Sequence, residues 1–97
     1  MRVAFDPANN AKNIAERGLS FERVAELDWE TALAIEDLRH DYGERRLQVM
    51  ALLGRRLHVA VITYRGEAVH VISFRKANSK EAAWYGKVPS RPGGAAG

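Results

Sequence analysis

Residues 45–76 read RRLQVMALLGRRLHVAVITYRGEAVHVISFRK, three runs broken at Gly54 and Gly66. The runs are dense in Val, Ile, Leu and aromatic residues, which fit a pleated surface, and each break carries a glycine suited to a tight turn. The pattern predicts an antiparallel meander. A two-residue turn at Gly66-Glu67 sets Arg65 opposite Ala68, Thr63 opposite His70, Val61 opposite Ile72 and Val59 opposite Phe74. His58 then stands across from Arg75 on the other face. In this register Arg65, Thr63 and His70 form one polar cluster near the turn, and His58 with Arg75 form another about 20 Å away. A three-residue turn would exchange the faces of one strand.

Upstream, RVAF (Arg2–Phe5) is a short strand candidate. The following DPANNAKNIAERG is marked as a helix at both ends, with Asp6 as N-cap, Pro7 in the first position and Gly18 as the stop. LSFERVAELD predicts a second helix, capped by Ser20, with Phe21, Val24, Ala25 and Leu27 on its apolar side. Ala32–Ile35 suits a short strand, and RHDYGE is a loop by composition. Downstream, NSKEAAWYGK predicts a closing helix in which Asn78 and Glu81 form a variant capping box. The expected order is β-α-α-β-β-β-β-α: an α+β fold with one antiparallel sheet, two N-terminal helices and one C-terminal helix. The domain spans 1–86, and the Pro/Gly-rich residues of 87–97 are expected to be a flexible tail.

With 97 residues, 46% apolar and 28% charged, the chain has room for one ordinary globular core. It has no cysteine, which excludes disulfides and thiolate metal sites. No apolar run approaches the roughly 18–20 residues of a membrane span, and MRVAFDPANN lacks the apolar core of a secretory signal, so a cytoplasmic location is expected. His40 with Asp37 and Asp41 is too sparse a set for a metal site, and no cofactor is expected. The net charge of +3 is compatible with a polyanionic partner. At FRKANSKE, Arg75, Lys76 and Lys80 surround a helix start, where unpaired N–H groups favour anions. In the alternative reading, Arg75 pairs with Glu81 while Asn78 satisfies those N–H groups.

In order and spacing, FDPANNAKNIAERG, SFERV, YGERR and TYRGEAVHVISFRKANSKEAAWY together resemble the BrnT family of type II toxins over roughly Val3 to Tyr85. The resemblance implies a small RelE-like ribonuclease that inhibits translation. The implied partner is an antitoxin with a ribbon-helix-helix DNA-binding domain, and the pair represses its own operon, possible higher-order complexes included. The family pattern usually has Trp at position 5, Lys at 9, His at 17, Arg at 70 and Ala at 74, where this chain has Phe5, Asn9, Arg17, His70 and Phe74. RNA cleavage without a metal needs a base for the 2′-hydroxyl, cations for the phosphorane and an acid for the leaving oxygen. By this likeness Arg65, Arg75 and Lys76 are candidates for charge stabilisation, and His70, Glu81 and Tyr85 for proton transfer. Lys12, Arg46, Lys76 and Lys80 are candidate RNA-binding residues. A second reading is a catalytically weak or inactive member that serves as a protein-binding module for the antitoxin. A third, an RNA-binding domain without catalysis, is disfavoured because the aromatics form no interleaved stacking pattern.

Overall fold

The computed structural model describes residues 1–88. Strands β1 (Arg2–Phe5), β2 (Leu33–Glu36), β3 (Leu47–Leu53), β4 (Arg56–Arg65) and β5 (Ala68–Lys76) form one sheet in the order β1-β5-β4-β3-β2. The last three in sequence make the expected antiparallel meander, and β2 extends it by pairing with β3. β1 joins in parallel along Ala68–Val71 of β5, so the sheet is mixed at that edge. Helices α1 (Pro7–Arg17) and α2 (Ser79–Lys87) complete the α+β architecture. The tail expected over 87–97 lies, apart from Lys87 and Val88, outside the described residues.

The terminal signals of α1 work as read. Asp6 accepts from the Ala8 N–H, and Gly18 closes the helix at φ 69°, a left-handed conformation that favours glycine. The segment expected to be a second α-helix is instead a 3-10 helix, Phe21–Glu26, capped by Ser20. Its buried residues give the reason. Phe21, Val24 and Leu27 recur every third residue, the period of a 3-10 helix, and all three are buried. Trp29–Thr31 forms a further 3-10 turn, and Trp29 Nε1 donates to the Val24 carbonyl at 3.1 Å.

Each sheet face packs a different set of residues. Phe21, Val24, Val49, Ala60, Ile62, Val71 and Phe74 form the larger core under the 3-10 segment. Met50, Leu57, Val59, Ala77 and Tyr85 form the smaller one under α2. Asn13 of α1 is buried and ties the helix to the sheet, its Nδ2 donating at 2.9 Å to both the Leu19 and the Phe74 carbonyls.

The β4–β5 register departs from expectation at one point. Arg65 pairs with Ala68 and Thr63 with His70, as a two-residue turn requires, and Gly66 takes φ 61°. Between Ile62–Val71 and Val61–Ser73 the register shifts, leaving Ile72 as an extra residue on β5. Beyond this bulge Val59 faces Arg75, Ala60 faces Phe74 and His58 faces Lys76. The bulge therefore carries Arg75 onto the face that bears His70 and Arg65, rather than the opposite one.

His58 packs in the larger core, its ring 5.4 Å from that of Phe74 and its Nδ1 2.8 Å from the Arg56 carbonyl. Burial lowers its pKa below the ordinary 6.5. As pH falls below that value the unfolded chain takes up the proton first, so stability falls. The lowered carboxylates act only further down, near and below their ordinary 3.8 and 4.5. Urea midpoints at pH 7.5 and 5.5 should therefore differ more for the wild type than for His58→Gln. Equal differences would show that His58 does not carry this dependence.

Candidate functional site at the strand–helix junction

β5 ends in Arg75 and Lys76, and the Ala77 N–H then bonds the Leu57 carbonyl at 2.9 Å, fixing where the chain leaves the sheet. Asn78 starts α2 with a complete capping box. Its side chain accepts from the Glu81 N–H at 2.8 Å, and Glu81 Oε1 accepts from the Asn78 N–H at 2.9 Å. Glu81 also holds Arg75 through a two-pronged pair, Nη1 to Oε1 at 2.7 Å and Nη2 to Oε2 at 2.8 Å. That hydrogen bond lowers the Glu81 pKa and raises that of Arg75.

The question left open by the sequence is thus resolved for the bare protein: Arg75 pairs with Glu81, and Asn78 satisfies the helix start. The pairing does not exhaust Arg75. Nη1 also reaches the Lys76 carbonyl at 3.3 Å. Among the described residues Nε–H and the outer Nη2–H have no partner, and these two donors form a second fork along the side of the guanidinium. The Arg39 charge is close enough to oppose that of Arg75. Glu81 borders a cavity of about 230 Å³ with Ile35, Met50, Lys80 and Trp84. Arg75 borders another of about 330 Å³ with Arg17, Leu19 and Lys76. The ion pair thus links the walls of two openings.

The other predicted residues lie as follows. Arg65 and His70 share the Arg75 face of the sheet, but His70 lies five steps along the strand from Arg75, about 17 Å. Arg65 is exposed and 3.3 Å from Glu44, which also pairs with Arg46 at 3.2 Å. Burial raises the Glu44 pKa, but the hydrogen bonds from Arg46 and Arg65 outweigh it and leave a net lowering. The Arg46 guanidinium lies 4.0 Å from the centre of the Tyr42 ring. Tyr85 is buried, and its hydroxyl donates to the Thr31 carbonyl at 2.7 Å, anchoring α2 to the 3-10 turn. Lys12 lies on α1 with Arg17 beside a cavity along β5, and Lys80 is exposed on the first turn of α2.

The 37–46 loop contributes something the sequence did not reveal. The buried Asp37 binds Arg39 twice at 2.8 Å and Tyr42 at 3.2 Å, and the Arg39 hydrogen bond lowers its pKa. This pairing holds Arg39 near Arg75. Among the described residues no three His, Cys, Asp or Glu side chains gather in a metal-binding arrangement. Asn13 and Arg17 were also missed as site neighbours. Position 17, last in a helix ended by Gly18, was the available signal for the arginine.

The chain is thus a small basic α+β protein that gathers cations at one end of its sheet. The profile of the family described as "Ribonuclease toxin, BrnT, of type II toxin-antitoxin system" matches residues 5–81, and the chain belongs to that family. A solved structure, the ribonuclease toxin BrnT of Brucella abortus, is similar at a TM-score of 0.62 and 28% identity, over 81% of this chain and 99% of that one. No curated protein matches the sequence.

Proposed function

We propose that the chain is an endoribonuclease toxin that cleaves RNA without a metal, inhibits translation in the cytoplasm, and is neutralised by a ribbon-helix-helix antitoxin. Family membership supports the ribonuclease and the antitoxin partner in general terms. The observation that carries the chemistry is the spare fork of Arg75, held by Glu81 in a half-buried, cation-rich corner. In this reading the 2′-oxygen attacks the adjacent phosphorus and the bond to the 5′-oxygen breaks, the departing oxygen taking a proton from water, giving a 2′,3′-cyclic phosphate and a 5′-hydroxyl. Nε–H and Nη2–H of Arg75 meet the phosphorane oxygens, where charge accumulates. The Glu81 carboxylate, kept ionised, is the adjacent acceptor for the 2′-hydroxyl proton. Tyr85 serves through its anchoring bond, and His70, about 17 Å along the same face, takes no part in this step.

The protein-binding reading also has an observation in its favour. Ile35, Leu38 and Trp84 are exposed apolar side chains at the β2 and α2 end, and Ile35 and Trp84 share one cavity. Purified protein added to mixed RNA in EDTA, and separately to a translation extract, distinguishes the two. Cleavage in EDTA together with a loss of translation is expected. Neither effect, from protein that still binds its antitoxin tightly, would replace the enzyme reading with the binding module.

A further inference from the structure

β1 covers β5 only from Ala68 to Val71, so along Ile72–Lys76 that edge is flanked by α1 rather than by a strand. Two adjoining cavities follow this boundary. One, of about 350 Å³, includes Lys12, Asn13, Glu16 and Arg17 in its wall, and the other is the Arg17–Arg75–Lys76 opening. Arg17 lines both, and together they form a groove.

Apart from Arg75, the cations in its wall make no ion pair among the described residues. Arg23, Arg39, Arg45, Arg46, Arg65 and Arg75 each face a carboxylate within the chain. Among the described residues Lys12, Arg17 and Lys76 pair with none, and Glu16 is the single acid in the groove wall. Arg17 is also held in place, since its Nη1 donates to Asn13 Oδ1 at 3.2 Å and Asn13 is buried and bonded on to β5. Unneutralised cations in a row, one of them braced from the core, suit a chain of phosphates. Asn9 to Arg17 spans about 12 Å of helix, which is longer than one nucleotide needs.

We propose that the α1–β5 groove holds the backbone of single-stranded RNA on one side of the bond to be cut, with Lys12, Arg17 and Lys76 on successive phosphates. This rests on the ribonuclease reading but is tested apart from it. The probe is a fully 2′-O-methylated RNA, which cannot be cleaved, longer than the roughly 16 nucleotides that a single module occupies. Affinity is measured as a function of salt. Each phosphate contact on a single strand contributes about 0.7 to the slope of log affinity against log salt. The double variant Lys12→Gln/Arg17→Gln should lower the slope by about 1.4 and affinity on the order of tenfold. Arg55→Gln, in the β3–β4 turn and in neither cavity wall, should leave the slope unchanged. If the Arg17 variant melts early, Lys12→Gln/Lys76→Gln should give the same reduction.

A wild-type slope in either double variant, an equal fall with Arg55→Gln, or no RNA binding by the wild type overturns the proposal. Cleavage of unmodified RNA is read separately. No cleavage with a groove-dependent slope would remove the ribonuclease reading and keep the groove, whereas cleavage with an unchanged slope would do the reverse.

Discussion

Arg75→Lys should reduce RNA cleavage by roughly 10²–10³-fold while leaving the fold intact, the loss typical when one aimed donor is removed from a charge-stabilising site. Lysine keeps the positive charge but not the planar fork, so it cannot grip Glu81 with two parallel bonds and also offer two donors to a phosphate. Arg75→Ala should lose at least as much. It also leaves the Glu81 carboxylate, whose side chain is only 17% exposed, without its cation. Some destabilisation of the α2 start is then expected, although the Asn78 bond remains. Lysine is therefore the cleaner probe. The check is single-turnover cleavage of a defined RNA, with circular dichroism to confirm the fold. Undiminished cleavage by a folded Arg75→Lys protein would move the reaction centre away from the junction, towards Arg65 and His70.

Phe74→Ala is the substitution expected to cost the most stability, about 3–5 kcal/mol. Phe74 is fully buried, its ring against His58, and its carbonyl accepts from Asn13. A domain of this size has roughly 5–15 kcal/mol in total, so the change removes a large part of it. The family pattern usually carries Ala here, but in this chain the cross-strand neighbour is the small Ala60, and Ala51 belongs to the same core. Urea unfolding gives the measurement. A loss below about 1 kcal/mol would mean that the core collapses around the gap.

Much of the fold is legible in local signals. Asp6, Pro7 and Gly18 bound the first helix, Asn78 and Glu81 start the last, and Gly66 sets the hairpin turn, because each acts on its own backbone or that of a near neighbour. The departures arise where distant packing decides. A bulge at Ile72 has no glycine to announce it. That one extra residue reverses which face carries Arg75, so the sequence-based register placed Arg75 and His70 on opposite faces. The 3-10 helix at Phe21–Glu26 was readable from the three-residue spacing of Phe21, Val24 and Leu27, but neighbouring Ala25 made an α-helix equally fitting. At the site, Arg75, Lys76 and Glu81 could be grouped because they adjoin in sequence. Arg39 and Arg17 reach the same corner only through the Asp37 network and the buried Asn13.

The most direct test of a metal-independent ribonuclease centred on Arg75 is the chemical form of the ends made when purified protein cuts a defined single-stranded RNA in EDTA. A 2′,3′-cyclic phosphate on one fragment and a 5′-hydroxyl on the other are expected, with both lost in Arg75→Lys. Ends carrying a 3′-hydroxyl and a 5′-phosphate, or cleavage that appears only when divalent metal is restored, would contradict the account.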